Sequence, residues 1–271
     1  MRFAAVILFG LCAAAMAQKS DCASVAKTDK EIVLTATSWD PVYDIAATLA
    51  DRYEISVSVE SPRWAFPMDT EDVADADPQF SATHGNIHYR VMKRHTVQVR
   101  VPAGLVEPSN ALRLSVRVVK AANLVMPYEY RVYVAGQGHY ALVPTKTLTS
   151  DGLVAAEPLL DQRVTIPAGS RTIADQANLM AEQLSQQTGL HVACCQASLA
   201  GVPWGLAEVT FETRNEPARL VLRKLIELEE QSMADAPNQH VKYDRWTVTC
   251  DGTGAPWCFI DVQGVHSAAC R

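Results

Sequence analysis

His84 and His88 stand four residues apart, with His95 downstream and an acidic stretch, Asp69, Glu71, Asp72, Asp75 and Asp77, just before them. Imidazoles at that spacing share one helical face, and with carboxylates nearby they are what a divalent metal site requires. Gly85 and Asn86 between the two histidines oppose the helix that the spacing needs. The expectation is a solvated loop, and no metal ligand, cofactor or catalytic residue is assigned. GxSxG, P-loop and HExxH motifs do not occur. Gly136-Gln137-Gly138 shares glycines with a dinucleotide fingerprint, but it joins two strand patterns and reads as a hairpin turn. Among the aromatics, Trp246 and Trp257 read as core or cross-strand residues. Trp64 and Trp204 sit in loop patterns and are the candidate ligand-contact pair.

Cysteine is the other reactive group. Cys250 and Cys258 flank Asp251-Gly252-Thr253-Gly254-Ala255-Pro256, a turn between two apolar strands, and their spacing favours a bridge across that hairpin. Cys194 and Cys195 are adjacent, and consecutive Cα atoms about 3.8 Å apart lie closer than a disulfide usually allows. Each therefore seeks another partner, with Cys22 and Cys270 available and the pairing open. A zinc site is the rival reading, but no CxxC pair and no nearby histidine supports it.

Disulfides need an oxidising compartment, and the N-terminus supplies a route there. Arg2 precedes the apolar run Phe3 to Ala15, which ends in Ala15-Met16-Ala17, so residues 1–17 read as a signal peptide cut before Gln18. About 13 apolar residues are too few for the roughly 20 of a spanning helix, and no transmembrane segment is expected in the mature chain. The mature protein is thus expected to be periplasmic or secreted. Of 271 residues, 48% are hydrophobic and 20% charged, which excludes a disordered or fibrous chain. The net charge of −6 becomes −7 on loss of Arg2, so a nucleic-acid surface is not indicated.

The elements that must position these residues come in two similar series. In the first, Lys30 to Ala36 is a strand, and Asp40-Pro41 opens a helix with Val42, Ile45, Ala46, Leu49 and Tyr53 on one face. Strands follow at Ile55 to Val59 and Thr96 to Val101. Ala111 to Ala122 fits both alternation and a helix, and the parallel with the second series favours helix. Tyr130 to Val134 and His139 to Val143 close the series. The second runs from a strand at Arg163 to Ile166, through a helix capped by Thr172 and Gly189, to strands at Leu190 to Cys194 and Glu208 to Glu212. Pro217 then opens a helix with Ala218, Val221, Leu222, Leu225 and Ile226 inside, followed by strands at Asp244 to Val248 and Trp257 to Val262.

From Ile55 to Ala111 is 56 positions, and from Leu190 to Ala218 only 28, so the first series carries a 28-residue insertion, placed at about 62–95. The predicted fold is α+β: two tandem βαββαββ-type units, each with two helices on a small mixed sheet. The first unit spans 18–149, a linker 150–157, and the second unit 158–271.

The order of elements, the segment Thr172 to Leu190 ending in Gln187-Thr188-Gly189-Leu190, Val209-Thr210-Phe211-Glu212 and Pro217 to Leu222 resemble the short N-terminal domain of secretins and TonB-dependent receptors. In the first series, Ala111 to Pro144 resembles that domain's closing helix and strand pair, although no barrel or secretin ring sequence follows. The resemblance implies a non-catalytic docking module whose partner is another cell-envelope protein. Two alternatives stand beside it: an exported metal-dependent hydrolase with its site in the 62–95 insertion, and a small-ligand or glycan binder using Trp64 or Trp204. Partner identity and oligomeric state are not specified by the sequence. Export predicts that the mature chain begins at Gln18 and that non-reducing peptide mapping recovers a linked pair containing Cys250 and Cys258. Free thiols at both positions together with an intact Met1 would contradict it.

Overall fold

The computed structural model describes residues 22–62, 69–72, 79, 82, 90–136, 138–149, 151–194, 204–234, 243–251 and 257–264. The chain begins with β1 (Ser24–Lys27) and β2 (Glu31–Ser38), whose Ile32, Leu34 and Ala36 alternate inward. Asp40 caps α1 (Pro41–Tyr53), which ends where Glu54 turns into the left-handed region at φ 55°. Then come β3 (Val57–Glu60), β4 (Thr70–Asp72), β5 (Arg90–Met92) and β6 (His95–Pro102). The ambiguous segment is a helix, α2 (Ala111–Ala122), because Leu114, Val118 and Ala122 bury together while the arginines at 113 and 117 stay outward. Next are β7 (Tyr128–Gly136), β8 (His139–Thr149) and β9 (Gly152–Ala155).

The remaining elements are β10 (Arg163–Thr172), α3 (Ile173–Thr188), β11 (His191–Cys194), β12 (Glu208–Pro217), α4 (Ala218–Ala234), β13 (Tyr243–Asp251) and β14 (Trp257–Gly264). Thr172 accepts the Asp175 N–H at 3.1 Å, and Gly189 ends α3 at φ 69°, a conformation glycine adopts without a Cβ penalty. Both β10 and β12 run well beyond their predicted lengths. The predicted linker 150–157 contains β9, which pairs antiparallel with the end of β8. The fold is thus mixed α+β with four helices and several sheets among the described residues. Within them, no helix is long and apolar enough to cross a membrane.

Two small sheets, β1-β2-β6 and β10-β12, are antiparallel throughout. A seven-stranded sheet has the order β11-β14-β13-β3-β8-β7, with β9 beside β8. Within it, β3 pairs parallel with β8 and β8 antiparallel with β7; likewise β11 pairs parallel with β14 and β14 antiparallel with β13. The two sets meet where β13 lies parallel to β3, with Thr247 opposite Val59 and Val248 opposite Glu60. β4 and β5 form a separate ribbon at the base of the insertion.

One consequence of the joint is a strand buried on both faces. Leu142 of β8 packs with α1, α2, Val57 and Val59, whereas its neighbours Ala141 and Val143 pack with α3, α4 and Trp246. The back of the β3–β8–β7 set therefore forms part of the second half's core. Polar groups on that face need partners, and they find them. Glu60 receives two hydrogen bonds from Arg219 of α4, Nε to Oε1 at 2.7 Å and Nη2 to Oε2 at 2.8 Å, with the two side chains 1% and 0% exposed. Arg219 Nη1 also donates to Asp161, Trp246 Nε1 donates to Glu60 at 3.3 Å, and the guanidinium lies 4.5 Å from the Tyr133 ring centroid. A guanidinium fork matched to a carboxylate is the geometry that best offsets the desolvation of both ions.

Breaking one side of that pair leaves a buried charge short of its partner. Glu60→Ala is expected to destabilise the protein by about 3–5 kcal/mol. The double substitution Glu60→Leu with Arg219→Met should cost clearly less than the two single changes combined. Urea unfolding of the wild type, Glu60→Ala, the two single changes and their double checks both statements, and additivity would show that the pair is not energetically coupled.

Candidate functional site

The richest polar cluster sits where the N-terminus of α1, the end of β3 and β13 converge. Asp followed by Pro is a strong helix start, and Asp40 Oδ1 accepts the Tyr43 N–H at 3.0 Å. The other oxygen, Oδ2, accepts from the Ser61 hydroxyl at 2.8 Å. Ser61 in turn is fixed by its own N–H, which donates to Val248 O at 2.8 Å across the joint. Beside these groups is a recess with room for about one water molecule, lined also by Trp39, Pro62, Met92, Met126, Tyr128 and Tyr130. Cys250 adds a wall, and its disulfide to Cys258 joins directly opposed residues of β13 and β14.

Burial governs the electrostatics here. Asp40 is 7% exposed, and loss of water pushes its carboxyl up to about 6, against the opposing effect of its hydrogen bonds from Tyr43 and Ser61. Nearby Asp44, which accepts from the Ser38 hydroxyl, adds a smaller push in the same direction. Burial likewise drives the Tyr128 and Tyr130 hydroxyls above the ordinary phenol range.

A second carboxylate, Asp69, ties the ends of the insertion to this cluster. It bonds His95 Nε2 at 2.7 Å through Oδ1 and accepts from the Tyr128 hydroxyl at 2.9 Å through Oδ2. Its carbonyl accepts the Lys93 N–H at 2.9 Å. A carboxylate–imidazole pair is half of a nucleophile-activating arrangement, but among the described residues no hydroxyl or thiol bonds His95. The pair acts as a clasp at the root of β4 and β5.

The remaining sequence candidates are spread out. His84, His88 and Trp64 lie outside the described residues, as do Cys195 and Cys270. Trp204 is 4% exposed and belongs to the second half's core, and the adjacent Gly205 N–H donates to Glu229 at 3.1 Å. Cys22 and Cys194 are disulfide-bonded. Among the described residues, no three or more His, Cys, Asp or Glu side chains are grouped to hold a metal ion. β7 and β8 pair antiparallel with Gly136 opposite His139, and Gln137 lies outside the described residues. Sequence reasoning placed Asp40 as a cap and Asp69 in an acidic run. It missed Ser61 and Tyr128, which become polar partners only through contacts 21 and 59 residues away, and Tyr130, whose hydroxyl is buried beside them.

Sheet edges form the other candidate surface, and on each of three of them a side chain from a neighbouring helix or its cap engages one edge residue. Asn123 accepts from Tyr130 N at 2.8 Å and donates to Tyr130 O at 3.0 Å. Ser185 accepts from Val192 N at 2.9 Å, its one hydroxyl proton shared between Ala181 O at 2.9 Å and Val192 O at 3.3 Å, and Gln183 accepts from Thr165 N at 2.8 Å and donates to Thr165 O at 2.5 Å. Such plugs satisfy main-chain groups that would otherwise invite another strand. A groove of about 330 Å³ runs between β12 and α4, lined by Thr210, Phe211, Glu212, Lys224, Glu227 and Leu228. No family model, no curated protein and no solved structure matches the chain.

The raised Asp40 carboxyl has a defined sign. The native state takes up this proton more readily than the unfolded chain, so the group's contribution to stability is full below about pH 4 and is lost as pH rises to about 6. The shift corresponds to on the order of 3 kcal/mol. Asp40→Asn keeps a capping oxygen without the charge. It should be more stable than the wild type at neutral pH, with the difference shrinking on acidification. Urea unfolding of both proteins across that range tests this, and a constant difference would refute it.

Proposed function

We propose that the chain is an exported, non-catalytic docking module of the cell envelope, built from two tandem βαββαββ units. The paired topology supports the two-unit reading: β2·β6 corresponds to β10·β12, and β3–β8–β7 to β11–β14–β13, with the same parallel and antiparallel senses. On this reading, the short N-terminal domain of secretins and TonB-dependent receptors remains the family it resembles. The disulfides at Cys22, Cys194 and Cys250–Cys258 suit an oxidising compartment and so favour export.

The observation that carries the docking role is the β3·β13 joint: this chain already adds strand to strand to hold its own halves together. Strand addition gives affinity through main-chain bonds and selectivity through the side chains beside the edge. The β12–α4 groove offers both, an edge strand next to a helix carrying Lys224, Glu227 and Leu228. The partner is taken to be another envelope protein, bound as an extended segment.

Site-specific photo-crosslinking in the envelope tests this. A photoreactive residue at Thr210 should give a discrete protein adduct, and one at Arg52, on the exposed side of α1, should not. Equal labelling from both positions, or adducts from neither, would count against the groove as a docking site.

A further inference from the structure

We infer that the chain docks onto a second copy of itself, head to tail, by repeating between molecules the joint that its two halves make within one. This rests on the two-unit reading above. The strand registers show which edges are equivalent. Leu142 pairs with Val59 on one side and Val132 on the other, and Ile260 pairs with Cys194 and Val248 in the same way. So β3 corresponds to β11, and β7 to β13. The internal joint uses β3 of the first set and β13 of the second. At the two ends of the sheet stand β7 and β11, one edge of each kind.

The surfaces flanking those edges are suited to meet. In the joint, Arg219 of α4 reaches the back of the first set of strands. Counted from the first residue of each helix, its counterpart in α2 is Leu112, which is 42% exposed, and on β7 Val134 is 59% exposed. The face that receives α4 carries Ser58 and Ala141, and the corresponding pair at the far end of the sheet is Ala193 and Phe259, both half-buried. An apolar donor surface thus stands at one end and an apolar acceptor at the other, where the internal joint has an ion pair. The internal register of Thr247 opposite Val59 then places Arg131 of one copy opposite Cys194 of the next. Asn123 is the plug that yields, giving up the Tyr130 carbonyl to the incoming strand. Because the joined edges are unlike, the contact does not close at two molecules.

Sedimentation velocity and light scattering on the oxidised mature chain, over a roughly hundredfold range of concentration, should show mass rising past that of a dimer. Val134→Lys or Leu112→Glu removes one end and Ala193→Lys the other. Each variant alone should be monomeric with an unchanged melting temperature, and an equimolar mixture of Val134→Lys and Ala193→Lys should form a one-to-one dimer, since each keeps the end the other lacks. A monomer at every concentration, a wild-type mass that stops at two, or no dimer from the mixture would overturn the inference. If the Thr210 adduct persists in that event, the docking role stands without self-assembly.

Discussion

The buried pairing of Glu60 with Arg219 is the interaction on which the rest of the arrangement depends. It joins residues 159 positions apart and lies where β3 meets β13, the seam at which the two sets of strands become a single seven-stranded sheet. Its cost is large, because two ions leave water. Several neighbours offset that cost together: Asp161 takes the third guanidinium nitrogen, Trp246 donates to the carboxylate, and the Tyr133 ring faces the cation. None of these groups can move far without exposing another to an unpaired state, which is how a polar kernel fixes one register out of the many an apolar sheet would tolerate.

The double burial of β8 follows from the same joint, and it is visible in the sequence. Tyr140-Ala141-Leu142-Val143 does not alternate, as strands covered on both faces do not. The helix starts and stops were also legible, since Asp40-Pro41, Thr172-Ile173-Ala174-Asp175 and Gly189 each carry local chemistry that acts within one turn. Alternation across Ala111 to Ala122 was misleading by itself, because a helix with outward arginines at 113 and 117 alternates over a short window. β1 lacked a signal: Ser24 to Lys27 is short and mostly exposed, and it exists because β2 offers it an edge.

The candidate site was less legible for a physical reason. Capping can be read from neighbouring residues, but the raised Asp40 carboxyl depends on which distant side chains exclude water from it. Tyr128 and Asp69 are 59 residues apart, Asp69 inside the insertion and Tyr128 well beyond it, and no spacing rule links them. Trp204 looked like a loop aromatic because the residues before it have no periodicity, yet it is part of the core. The edge plugs were equally hidden, since Asn123, Ser185 and Gln183 differ in type and share only their position beside a strand.

The Cys250–Cys258 bridge also matters under mechanical load. β14 is an inner strand, held by β13 on one side and β11 on the other, and tension applied through Gly264 peels its ladder with β13 from the open end at Tyr243. Peeling stops at the bridge, because directly opposed residues are covalently joined there. The segment between the two cysteines then never straightens, which withholds roughly 25 Å of contour from any extension. In an oxidising compartment the hairpin would yield to pulling only part way, while the same hairpin in a reducing one would unravel to its tip.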